Sequence, residues 1–83
     1  MCQVKCRVEA GLIPAERVVQ IWTVDGHEEE VAVAAHEGVA GESLTAALIH
    51  QDEQRVLIEL SRESASGRWR IWVDRSTLVA AKP

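Results

Sequence analysis

The chain has no tyrosine and no phenylalanine, and only three tryptophans. Val, Ile, Leu and Ala must therefore fill its interior, with Trp as the only large piece. No apolar run approaches the ~20 residues that a membrane-spanning helix needs. The stretch Met1–Arg7 alternates polar and apolar residues and lacks the continuous apolar segment of a signal peptide. A soluble, cytoplasmic protein with no membrane partner is the expectation. Cysteine is scarce as well. On one strand Cys2 and Cys6 would lie about 13 Å apart, too far to bridge each other. Reduced thiols follow, with an intermolecular bridge through Cys2 as the alternative.

Motifs that specify a reaction are missing too. There is no nucleophile elbow and no phosphate-cradling glycine loop, and GVAG at 38–41 is generic. The Cys-x-x-x-Cys spacing of Cys2 and Cys6 is not that of a zinc knuckle. Ser43 and His50 share a segment, but no third group is placed to orient the imidazole. His27 and His36 fall at opposite ends of one expected strand, roughly 30 Å apart, and cannot share an ion within one chain. The run His27-Glu28-Glu29-Glu30 reads as solvated, its glutamates lying along a sheet edge or face. No metal and no cofactor are expected. With 83 residues the chain forms one domain, 1–83, too small to enclose a pocket of about 300 Å³. Enzymatic activity is not expected of it.

What is present is alternation. Val4, Cys6, Val8, Ala10 and Leu12 share one face of a strand from Gln3 to Leu12, which Pro14 closes. Arg17–Val24 is rich in β-branched residues and runs into Asp25-Gly26, the signature of a type I′ hairpin turn. The return strand reaches about Ala35, with Val31 and Val33 facing inward. Gly38–Glu42 reads as a loop. SLTAALIH (43–50) fits a strand, or alternatively one short helix at 43–51 led by Ser43. Gln51–Glu53 is a turn, and 55–61 is a strand with Val56, Ile58 and Leu60 inward. Ser64–Gly67 turns the chain into RWRIWV (68–73), and Asp74 caps a single turn before a short closing strand.

Five or six short strands with tight turns make a small antiparallel all-β barrel the economical fold. The closing stretch GRWRIWVDRSTLV resembles the end of SH3-type barrels, where a strand runs into a 3₁₀ turn and a short last strand. The resemblance covers about thirteen residues and implies an SH3-like fold. It implies no ligand: the proline-peptide groove of that family is lined by tyrosines and paired tryptophans. Asp74 also stands where that pattern has proline.

On the strand 68–73, alternation puts Trp69, Ile71 and Val73 inward and Arg68, Arg70 and Trp72 outward. Trp22, beside Val18 and Val24, is expected in the core. Trp72, Arg70 and Arg68 form the candidate binding surface, since arginine and tryptophan are the usual anchors of protein interfaces; the alternative is that Trp72 packs under a loop or the closing turn. The formal charge of −4 is divided, with three basic and ten acidic residues in 1–54 and six basic and three acidic in 55–83. An acidic half of one copy can meet a basic half of another, so a homodimer or a protein partner is expected. Net acidity disfavours nucleic acid, whose phosphates reward positive charge. The alternatives are a small RNA-binding barrel using the same residues, and a structural subunit of a larger assembly.

Overall fold

A computed structural model describes residues 1–34 and 39–79. Eight strands follow in order: β1 (Cys2–Lys5), β2 (Arg7–Ala10), β3 (Glu16–Trp22), β4 (Glu28–Ala34), β5 (Val39–Ala40), β6 (Ser43–Gln51), β7 (Arg55–Glu59) and β8 (Arg70–Asp74). A 3₁₀ turn, Arg75–Thr77, closes the described chain. The fold is all-β. One antiparallel sheet has the order β1-β6-β7-β8, with β5 paired to β6, and the other has the order β2-β3-β4. Among the described residues, strand pairing does not close the two sheets into a ring. No α-helix occurs among the described residues, so none is long and apolar enough to cross a membrane.

The segment 43–51 is a strand, not the helix weighed above. Leu44 and Ala46 enter the core, as strand parity requires. A bulge between Leu48 and His50 then re-aims the end of β6. The expected single strand from Gln3 to Leu12 is two strands. Cys6 donates its N–H to the Glu42 carbonyl at 2.9 Å, ending the ladder with β6, and Arg7 opens the ladder with β3. The alternation passes through this corner unbroken, so a change of partner leaves no mark on it. It fails further on: Ala10 is exposed, and Leu12, beyond the end of β2, is 99% exposed.

The Asp25-Gly26 turn is also not type I′. That turn needs positive φ at two positions, and only Gly26 has it, at 86°. Gly26 N–H instead reaches the Thr23 carbonyl (3.1 Å) and Thr23 N–H the His27 carbonyl (2.9 Å), a turn closed by a glycine bulge. Ser64 to Arg68 repeats the pattern: Gly67 N–H bonds the Ser64 carbonyl at 2.9 Å and Ser64 N–H the Arg68 carbonyl at 2.8 Å. Gly38 and His36 lie outside the described residues.

The core is aliphatic throughout. Val4, Val19, Ile21, Val31, Val33, Leu44, Ala46, Val56, Ile58, Leu60, Ile71 and Val73 are all buried. Both expected inward pairs, Val31 with Val33 and Ile71 with Val73, are among them. Two main-chain bonds join the sheets at their margins: Val24 N–H donates to the Trp72 carbonyl (3.0 Å) and Ala65 N–H to Glu30 (2.7 Å). A third, from Val79 N–H to Gln3 (2.9 Å), ties the segment after β8 to β1 of the same sheet.

Candidate interaction surface

No tryptophan is in the core. Trp69, expected inward, precedes the first residue of β8 and is 52% exposed. Its carbonyl accepts from Leu60 N–H at 2.8 Å, which extends the ladder by one pair without covering the indole. Trp22, also expected in the core, is 59% exposed. It lies on the face opposite Ile21, so its strand parity outweighs its hydrophobicity.

Trp72 points outward as expected, but it is half-buried by neighbours on its own face. The register pairs Leu57 with both His50 and Trp72, setting these three side by side on the outer face of the larger sheet. Arg55 lies directly opposite Asp74, diagonal to Trp72, and its guanidinium carbon sits 4.3 Å from the indole centroid. His50 meets the same ring edge-on, with centroids 6.1 Å apart. The stacking arginine is therefore Arg55 rather than Arg70.

Arg70 shares the face but is tied to Glu59 at 2.9 Å. Arg68 does not join it: before the strand begins, its Nε lies 3.9 Å from Glu29. Asp52 anchors Arg55 from below. Its carboxylate accepts from the Gln54 and Arg55 main chain and from the Arg55 guanidinium at 3.1 Å. Those bonds hold the Asp52 carboxyl below its usual range, the Gln54 N–H contributing most. Neither Arg55 nor His50 was assigned to this surface by sequence, which weighed His50 only beside Ser43. Aligning the inward Val56 and Ile58 with Val73 and Ile71 across the hairpin would have placed Arg55 beside Trp72.

A second polar constellation lies between the sheets. Glu29 is 1% exposed, continuing the inward parity of Val31 and Val33. The expectation that it is a solvated edge charge is thus corrected. Ser66 Oγ donates to its Oε1 and His27 Nε2 to its Oε2, each at 2.6 Å. The imidazole Nδ1 faces Asp25 at 3.4 Å, and Thr23 Oγ1 donates to the same Asp25 carboxylate. Burial raises the Glu29 carboxyl, but hydrogen bonds led by those from Ser66 and His27 outweigh it and hold the group below its usual range. The carboxylate stands between the hydroxyl and the imidazole. A nucleophilic serine needs the imidazole in the middle, so this order cannot activate Ser66.

The cysteines are free thiols. Burial, and then the Glu42 charge, push the Cys6 thiol up to about 11. Among the described residues no group of three or more His, Cys, Asp or Glu side chains is placed to hold a metal ion. The chain matches no protein-family model, no curated protein and no solved structure.

Proposed function

We propose that the chain is a non-enzymatic docking module that works by associating with protein surfaces, a second copy of itself first among them. One observation carries this reading: all three tryptophans stand outside a core that is otherwise complete without them. Trp is the side chain that gains most from burial against a partner. A small domain that keeps all three out of its core, two of them more than half exposed, has kept its largest apolar groups for intermolecular use. The division of charge along the sequence supports a second copy as the partner. We further infer an SH3-type barrel as the framework, on the strength of the 3₁₀ turn, the Val4–Leu78 bridge and the bond from Val24 to Trp72 that spans the sheets.

Sedimentation over a range of protein concentrations, at low and high salt, tests this. A reversible dimer weakened by at least one of Trp22→Ala, Trp69→Ala and Trp72→Ala is the expected result. A monomer at every concentration overturns the second copy as partner.

A further inference from the structure

The Asp25-Gly26 turn carries chemistry that docking does not use. The chain has no asparagine, and of its three aspartates only Asp25 precedes a glycine. In such a pair the glycine main-chain nitrogen can attack the aspartyl Cγ, because no Cβ on the glycine obstructs the approach. A new N–Cγ bond replaces a Cγ–O bond of the protonated carboxyl, and the departing hydroxyl leaves as water with the amide proton. Water then reopens the resulting succinimide ring. Addition at Cγ restores aspartate; addition at the Asp25 main-chain carbonyl leaves isoaspartate, an isomer whose chain runs through the side-chain carbon. The sequence of steps returns the water it releases and needs no other reactant.

Both reacting groups are open to water. The Asp25 side chain is 56% exposed, and Gly26, with φ at 86°, is exposed beside it. Thr23 holds the two apart. Its carbonyl accepts the Gly26 N–H at 3.1 Å, while its hydroxyl donates to the Asp25 carboxylate. Thr23 is itself buried and tied to the other side of the turn, its N–H on the His27 carbonyl at 2.9 Å. Nucleophile and electrophile are thus each fixed to a different atom of one buried residue. The same hydroxyl leads the contacts that hold the Asp25 carboxyl below its usual range. An ionised carboxylate has no hydroxyl to lose, so it is the unreactive form.

We infer that Asp25-Gly26 is a latent isoaspartate site and that Thr23 is the residue that keeps it closed. Conversion there acts on the junction of the two sheets. The added main-chain carbon falls between Val24, whose N–H meets the Trp72 carbonyl at 3.0 Å, and His27, whose Nε2 meets the buried Glu29 at 2.6 Å. Lengthening the chain at that point moves one anchor relative to the other, so modification of the turn loosens the joint it closes.

Prolonged incubation of the full chain at neutral pH tests it, with isoaspartate located by electron-transfer fragmentation and the fold of each sample followed by circular dichroism. The folded wild type should convert more slowly than the same chain unfolded in guanidinium chloride. Thr23→Val, which keeps the shape of the side chain and removes the hydroxyl, should convert about tenfold faster than the wild type, the factor that one hydrogen bond to a charged group contributes. Thr23→Ser, which keeps the hydroxyl, should stay near the wild-type rate. A folded Thr23→Val that converts no faster than the wild type overturns the role of Thr23. Equal rates for the wild type with and without denaturant overturn it even where Thr23→Val fails to fold. An unfolded chain that forms no isoaspartate at Asp25 overturns the site.

Discussion

The Ser66 hydroxyl, in the turn between β7 and β8, donates to the buried Glu29 carboxylate of β4 at 2.6 Å. A charge in one sheet is thereby held by a loop of the other. Removing the hydroxyl leaves the buried carboxylate one donor short, and a buried group left unpaired costs about 1–3 kcal/mol. Ser66 is exposed and His27 partly so, and both can turn to water when the carboxylate is gone. Ser66→Ala should therefore destabilise the fold by about that amount, and by less where Glu29→Ala has already removed the carboxylate. In a double-mutant cycle by urea denaturation the two should couple rather than add. Additive losses would mean that the contact contributes nothing of its own.

The same carboxylate sets a pH dependence. Its folded pKa lies below the unfolded value, near 4.3, so its stabilisation is present above that pH and is lost as pH falls through the folded pKa. Asp25, Asp52 and Asp74 are lowered in the same direction, chiefly by side-chain or main-chain donors. The midpoint of thermal unfolding should be flat from pH 7 to about 5 and fall below it. Glu29→Gln should show a shallower fall; an unchanged slope would assign the acid sensitivity to the three aspartates.

Arg55 covers one face of Trp72. Arg55→Ala should shift the indole emission to longer wavelength as water reaches the ring. At a partly exposed site the stacking contributes about 0.5–1 kcal/mol. Arg70→Ala, which removes only the pair with Glu59, should leave the emission unchanged, and the comparison of the two spectra checks the assignment.

Gly11 has Glu16 side-chain atoms 2.8 Å from where a Cβ would stand. Gly11→Ala must displace that side chain and with it the hydrogen bond to Leu12. Amide exchange at Leu12 should quicken, while the protection of β7 and β8 stays as in the wild type.

With a pKa of about 11, Cys6 carries little thiolate at neutral pH. A disulfide reagent at pH 8 should modify it at least tenfold more slowly in the folded chain than in urea. Equal rates would place the thiol in open water.

Strand after strand was legible because alternation records which face is buried, and Val56, Ile58, Ile71 and Val73 obeyed it. What alternation does not record is where a strand ends. Trp69 has the parity of Ile71, yet it precedes β8 and stays in solvent. Nor does it record the strand's neighbour, so the transfer between sheets at Cys6 was invisible. Trp22 was misplaced by letting side-chain type overrule parity. Glu29 shows the converse: its parity with Val31 and Val33 was readable, but two glutamates beside it suggested solvent. Its partner Ser66 is 37 residues away, beyond any local pattern. The candidate surface was half legible. Trp72 was found, whereas Arg55 needed the hairpin register.

The main-chain bonds that join the sheets have one more effect. Trp72, on the outermost strand of its sheet, already receives Val24, and Glu30, at the margin of the other, receives Ala65. Fibre growth by edge-to-edge polymerisation needs rows of vacant main-chain groups, and these two rows are interrupted at mid-strand. Along these two edges a second chain finds no unbroken row to extend, and encounters there are left to side chains that can let go.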